Sequence, residues 1–379
     1  MRALRSRAGA LRIAQLAPMF ESVPPSLYGG TERVVSWLSE ELVRRGHDVT
    51  LFASGDSRTS ARLVPVVERA LRLNAGGLID PVAMHVAAAE MVRRRAGEFD
   101  VIHAHIDALS FPALRGAAAP TVTTLHGRLD IDGLGLLYEV YPDQPVVAIS
   151  QAQRSQRPEA GWVATVHHGL PLEAYPVGAG LGDYILFLGR ISPEKRPDVA
   201  IRAARRAGAR LVIAAKVDPV DRRYFDDAVE PLLQGPGVEF IGEVDDRAKV
   251  ALLRDARALL FPIEWPEPFG LVMIESMACG TPVITRRCGS VPEVIADGRT
   301  GTVCDDDEAL VPAIARVGEI DRGACRRWVE DHFSVTRMAI DYERIYHRLA
   351  AHHAHDADPG VALDDVRAAS VLAAVTSPR

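Results

Sequence analysis

Tyr184-Ile185-Leu186-Phe187-Leu188, followed by Gly189 and Arg190, is a short apolar run that reads as a buried strand. It restarts a pattern that the first half of the chain has already run through. There, Leu11 to Ala17 is an apolar strand, a loop rich in Pro, Gly and Ser follows, and Thr31 is expected to cap a helix carrying Val34, Val35, Leu38 and Leu42. Gly46 ends that helix and Asp48 to Ala53 forms the next strand. Further strands are expected at Asp100 to Ala104, Thr121 to Leu125, Val146 to Ile149 and Val163 to Val166, so residues 1–169 form one domain. After Tyr184 the alternation continues with Leu211 to Ala215, Val238 to Ile241, Ala258 to Phe261 and Pro282 to Thr285. Such alternation specifies a parallel sheet with helices on both faces. The expected fold is therefore α/β: two tandem Rossmann-like, doubly wound domains with a cleft between them.

Residues 170–182 hold two prolines and three glycines with little periodicity, which suits the connection into a second domain at 170–333. Gly178 to Gly182 precedes a strand and lacks the G-x-G-x-x-G spacing, so no dinucleotide fingerprint is present there. Beyond Ser334, an amphipathic segment with Met338, Ile340, Tyr342, Ile345 and Leu349 (334–351) is long enough to pack back across the domain boundary. Residues 352–379 show no core pattern and are expected to form a poorly ordered tail or a lone short helix.

At 379 residues, two domains of ordinary size are expected. A formal net charge of -6 gives no field that would attract polyanions, so a nucleic-acid partner is not expected. Cys279, Cys288, Cys304 and Cys325 form no C-x-x-C pair, which fits a reduced, cytoplasmic protein. Arg2, Arg5 and Arg7 precede an apolar stretch broken by Arg12, which reads as a strand and not as a signal-peptide core. No run reaches transmembrane length, which leaves peripheral membrane contact open.

Chemistry concentrates in Glu267-Pro268-Phe269-Gly270-Leu271-Val272-Met273-Ile274-Glu275. With a helix starting near Phe269 and rising about 1.5 Å per residue, Glu275 falls roughly 9 Å along the axis. Both carboxylates can then line one groove. Phe269, Gly270 and Leu271 would supply a helix start whose free N–H groups and dipole seat a diphosphate, while Glu275 takes ribose hydroxyls. Alone, Glu275 would more often be a solvated helix glutamate. Arg190 and Lys195 follow the first strand of the second domain, where ligands gather in open α/β sheets, although an isolated R-x(4)-K is usually surface charge. Gly29 and Gly30 precede a helix and either admit a phosphate or make a plain turn. His126 ends a strand facing the cleft. His103 and His105 read as structural or acceptor-side residues. Val244 and Lys249 follow the strand ending at Gly242, next to Asp245, an ordinary helix N-cap. Asp305-Asp306-Asp307-Glu308 follows a strand and precedes a helix, so capping explains it better than a metal site, and no metal is expected.

Taken together, these segments resemble the retaining glycosyltransferases of the GT-B fold, specifically glycosyltransferase family 4. The likeness rests on the E-x(7)-E pair Glu267 and Glu275, the loop Gly29-Gly30-Thr31-Glu32, Leu125-His126-Gly127, Gly189-Arg190 with Glu194-Lys195, Gly280-Thr281-Pro282-Val283, and Pro292-Glu293 with Gly298 and Gly301. It spans roughly residues 11–350 and runs closest to the antibiotic-type, avilamycin glycosyltransferase-like branch. The resemblance implies metal-independent transfer from a UDP-, GDP- or ADP-linked sugar as co-substrate, with no other cofactor. It also implies Arg190, Lys195, Glu267 and His126 as catalytic groups, Glu267 positioning sugar hydroxyls. Gly29, Gly30, Val244, Lys249, Phe269, Gly270, Leu271 and Glu275 would bind the donor. Family members often carry Asn before the glycine at the end of the first domain, where this chain has His167-His168-Gly169. The acceptor, a small molecule, glycan or lipid, is not encoded in any motif. A GT-B epimerase, a phosphorylase or a non-catalytic nucleotide-sugar-binding protein stand as alternatives.

Overall fold

A computed structural model describes residues 9–73 and 80–357. Arg2, Arg5, Arg7 and most of the expected tail lie outside the described residues. The first sheet contains β1 (Arg12–Leu16), β2 (Asp48–Ser54), β3 (Arg62–Val67), β4 (Val101–Ala104), β5 (Thr121–Thr124), β6 (Val146–Ala148) and β7 (Trp162–Thr165). The second contains β8 (Tyr184–Arg190), β9 (Arg210–Lys216), β10 (Val238–Gly242), β11 (Ala258–Phe261), β12 (Val283–Arg286) and β13 (Gly301–Cys304). Their orders are β3-β2-β1-β4-β5-β6-β7 and β10-β9-β8-β11-β12-β13, and the paired strands run parallel. Two Rossmann-like α/β units result. The strand order reverses between β1 and β4 and again between β8 and β11, and such switch points open crevices at the carboxyl ends of the strands.

Sequence patterning misses β3 because Pro65 interrupts its apolar run; Pro is tolerated there because β3 is an edge strand. Two helix starts also differ from expectation. Thr31 is not the cap of the first helix, Gly30–Arg44: Gly29 occupies the N-cap and no side chain caps it. The helix after Glu267 runs Leu271–Ala278 and not from Phe269, because Gly270 adopts a left-handed φ of 76°. Asp245 does cap the helix Asp246–Asp255, accepting from the Ala248 N–H at 2.8 Å. Asp306 likewise accepts from the Ala309 N–H at 2.9 Å, while Asp305, Asp307 and Glu308 pair with Arg287, Arg286 and Arg206. Capping and ion pairing account for that acidic run.

The chain passes between the two sheets twice, side by side. Leu170 donates its N–H to Phe333 O at 2.9 Å, and Val335 donates to Leu170 O at 2.9 Å. A Cβ on Gly169 would lie 2.2 Å from Ser334 O, so only glycine fits this crossing. The helix Val335–Ala357 then buries Met338, Tyr342, Ile345 and Tyr346 against Ile13, Val34 and Leu38 of the first sheet's layer. Tyr175, in the connection between the sheets, is buried in the core of the second. No helix among the described residues is long and apolar enough to cross a membrane.

Candidate active site in the interdomain cleft

Both switch points open onto one cleft of about 630 Å³. Gly29, Gly30, His126, Arg190, Lys195, Val244, Lys249, Glu267, Phe269, Gly270, Leu271 and Glu275 all line it, so the fold gathers in one cleft the residues expected to bind the donor or act in transfer. From the first unit comes the start of the helix Gly30–Arg44, which no side chain caps and whose first residues line the cleft. A Cβ on Gly30 would sit 3.6 Å from Leu271 Cδ1, so the glycine loop lies directly over the opposing helix start.

The Glu267 loop is braced from behind. Ser290 donates its N–H to Glu267 O at 3.0 Å and its hydroxyl to Phe269 O at 3.0 Å. Gly289 has φ 51°, and a Cβ there would come 2.4 Å from both Glu267 N and Glu267 O. The Glu267 carboxylate is buried, ion-paired to Lys195 and accepting from the Trp265 indole N–H at 2.9 Å. Lys195 also packs over the Phe261 and Trp265 rings, 4.9 and 5.1 Å from their centroids. Arg190 is held more loosely, with Nε 3.5 Å from Asp221 and Nη1 3.9 Å from Asp218. Its buried Nε has no hydrogen-bond partner among the described residues. The rest of the side chain lines the cleft and is 32% exposed, so its Nη nitrogens can meet an incoming anion.

Glu275 sits at the centre of a second network. Its Oε1 accepts from Lys249 Nζ at 2.6 Å and from the Tyr175 hydroxyl at 2.9 Å, and Lys249 also reaches Asp246 at 3.1 Å. Lys249 therefore balances Glu275 and Asp246 directly, whereas Val244 remains at the cleft wall. Arg33, almost fully buried, crosses from the first unit to form an ion pair with Asp246. Burial and the adjoining Glu275 carboxylate push the Tyr175 phenol well above its usual range.

Histidines dominate the first unit's wall. His126 Nε2 lies 2.9 Å from His105 Nδ1, and its ring stacks on His168 at 5.3 Å. Burial drives His126 down to about 3 and His103, His105 and His168 well below the ordinary imidazole range, so all four are neutral near pH 7. Of the structural and acceptor-side readings left open for His103, complete burial and bonds to Tyr346 and Thr124 favour the structural one. Asp107, with φ 46°, accepts from the His126 N–H at 3.0 Å. Solvent reaches Asp107 through the cleft mouth, yet the surrounding walls desolvate it enough to raise its carboxyl to about 6.

Sequence reasoning missed Arg33, Tyr175 and Gly289. Arg33 directly follows the glycine loop and Tyr175 is a lone aromatic in a Pro/Gly connection, signals too common to single out. Gly289 carries one only in retrospect, as a glycine packed behind a functional loop.

Two parallel-sheet units facing each other across a cleft that holds paired glutamates and cations define a glycosyltransferase of the GT-B class. The family model described as glycosyl transferases group 1 matches residues 181–332, and that described as glycosyltransferase family 4 matches residues 28–157. The chain belongs to the family 4 glycosyltransferases. It is 29% identical over 342 residues to a phosphatidyl-myo-inositol mannosyltransferase of Mycobacterium leprae, covering 80% of this chain and 86% of that protein. To a D-inositol 3-phosphate glycosyltransferase of Mycolicibacterium smegmatis it is 27% identical, covering 86% and 88%. Among solved structures, AviGT4, a glycosyltransferase involved in avilamycin A biosynthesis, superposes with a TM-score of 0.69 at 25% identity, covering 90% of this chain and 98% of that one. HepE from Anabaena, solved with UDP and glucose, shares the fold, with a TM-score of 0.69 at 18% identity over 89% of this chain and 100% of that one.

Proposed function

We propose that the protein is a retaining, metal-independent glycosyltransferase that uses a nucleoside diphosphate sugar. The observation that carries this reading is the placement of two buried glutamates on either side of an open helix start, each matched by a lysine, where both sheets reverse strand order. A diphosphate fits the N–H groups of Gly270 and Leu271 together with Arg190 and Lys195, which offset charge as it grows on the leaving group. Glu275, held rigid by Lys249 and Tyr175, offers its second oxygen to ribose hydroxyls. The Glu267 and His126 side chains take the hydroxyls of the transferring sugar, with Lys195 shared between Glu267 and phosphate. In the transfer, the C1–O bond to phosphate breaks and the acceptor oxygen bonds C1 on the same face. The acceptor proton passes to a phosphate oxygen, and the nucleoside diphosphate leaves. The complex of HepE with UDP and glucose, and the glycosyl-transfer names of the relatives, support the donor class. The acceptor is a small molecule, glycan or lipid, met in the cytoplasm.

A panel of UDP-, GDP- and ADP-sugars tests the donor, since a ligand bound to the folded state raises the melting temperature. The anomeric configuration of the product, read by NMR coupling, tests retention. Turnover is expected to persist in excess chelator; strict dependence on added Mg²⁺ or Mn²⁺ would contradict the proposed phosphate seat.

A further inference from the structure

A buried hydrogen-bond chain runs from the cleft wall to the C-terminal helix. His126 Nε2 meets His105 Nδ1 at 2.9 Å, and His105 Nε2 meets Gln15 Oε1 at 2.8 Å. Gln15 Nε2 donates to the Tyr346 hydroxyl at 3.2 Å, and that hydroxyl meets His103 Nδ1 at 2.7 Å. Gln15, His103 and Tyr346 are completely buried and His105 is 2% exposed, so none can exchange its partner for water.

Directionality follows from the chemistry of each member. An amide oxygen only accepts, so His105 Nε2 carries the proton that reaches Gln15. A neutral imidazole has one ring proton, so His105 Nδ1 is bare and accepts from His126 Nε2–H. The remaining nitrogen of His126, Nδ1, is then bare as well. The hydrogen bonds of His126 among the described residues run through Nε2 and the backbone N–H, which leaves Nδ1 to the cleft that His126 lines. Burial keeps His103, His105 and His126 neutral, which is what a one-proton chain demands.

We infer that Gln15 and His105 are positioning residues that lock His126 in the Nε2–H tautomer, so that it presents a hydrogen-bond acceptor to a hydroxyl of the transferring sugar. The inference rests on reading the cleft as the sugar-transfer site. Gln15 is placed by β1, and its amide is held by Tyr346 on the helix that crosses back from the second unit. That helix therefore sets the polarity of a group in the cleft. The sugar hydroxyl opposite His126 must donate, so a fluoro or O-methyl analogue at that position loses the bond and the hydroxyl compound keeps it.

The test is long-range proton–nitrogen correlation NMR on protein labelled with 15N-histidine and measured without substrate, His126 being assigned from the His126→Gln spectrum. The expected result is a protonated Nε2 and a bare Nδ1 on His126. In Gln15→Leu, the His126 signals should shift toward a mixture of tautomers, and kcat should fall roughly tenfold with donor KM nearly unchanged. A protonated Nδ1 in the wild-type spectrum, which would require the Gln15 amide to be turned over and every bond reversed, overturns the inference. Retention of a single Nε2–H tautomer in folded Gln15→Leu overturns the role of Gln15. If Gln15→Leu fails to fold, the wild-type spectrum still decides the tautomer. The spectrum needs no turnover, so its failure leaves the sugar-transfer reading standing, and absence of any sugar transfer would not alter the spectrum.

Discussion

Lys195 and Glu275 illustrate how neighbouring charges acquire different tasks. Lys195 neutralises Glu267 in the resting site and is proposed to meet charge that grows on phosphate only as the donor bond breaks. Removing such a group typically slows chemistry by about 10²-fold or more, roughly 3 kcal/mol, so Lys195→Ala and Arg190→Ala should lose kcat while remaining folded. The ribose contacts proposed for Glu275 would exist before and during the reaction. Glu275→Ala should therefore show its loss mainly as a raised donor KM, checked by saturation kinetics on each variant. The buried histidines make a separate statement about stability. His103, His105, His126 and His168 refuse protons that the unfolded chain binds below its imidazole value of 6.5, so stability is full above that value and falls as pH drops below it. Asp107, Glu21 and Glu32 oppose the trend, because desolvation raises each carboxyl. Asp107, at about 6, takes up a proton in the same window and offsets part of the effect, but four imidazoles outweigh it. The urea midpoint should fall from pH 7 to about 5.5, each fully refused proton contributing about 1.4 kcal/mol per pH unit; a flat profile would contradict the neutral assignment.

Among the elements, the loop carrying Glu267 depends on a glycine outside its own segment. Gly289→Ala would place a methyl group against the Glu267 backbone at a left-handed position, which costs on the order of 1–3 kcal/mol. Both a lowered melting temperature and lost turnover are expected, and a fully active, equally stable variant would show that the brace is dispensable. Elements with strong period were legible in sequence. The strand at Tyr184 and the helix bearing Val34 and Leu38 declare themselves through apolar spacing. Elements whose form depends on distant partners were not. Pro65 conceals an edge strand, and Gly270 shifts a helix start that sequence reasoning puts near Phe269. The same division runs through the site. Glu267, Glu275, Arg190 and Lys195 stand in a recognisable spacing, whereas the partners that give Arg33, Tyr175 and Gln15 their places lie 90 or more positions away, as Asp246 does for Arg33, Glu275 for Tyr175 and His105 for Gln15.

Across the whole molecule, the two units are joined by a crossing and by contacts over the cleft. At the crossing, Gly169 lies against the Ser334 backbone. Over the cleft, Arg33 pairs with Asp246, the Tyr28 N–H donates to Glu243 at 3.2 Å, and Arg128 lies 5.1 Å from the Trp265 ring centroid. Arg33 is the most deeply buried of these partners and also adjoins the Glu275 network, so the proposed closure of the cleft is expected to be coupled to the order of that network. Arg33→Ala should enlarge the radius of gyration in solution and weaken donor binding. Paired with Asp246→Ala in a double-mutant cycle, it should show a coupling on the order of 1 kcal/mol. Identical scattering and additive effects would remove the ion pair from any role in closure.

The most direct test of sugar transfer in this cleft is release of nucleoside diphosphate from a donor panel, compared between the wild type and the folded double variant Arg190→Ala/Lys195→Ala. One donor class should yield diphosphate and a new glycoside with the wild type, at least about 10²-fold faster than with the variant. Equal release by both proteins would contradict the account.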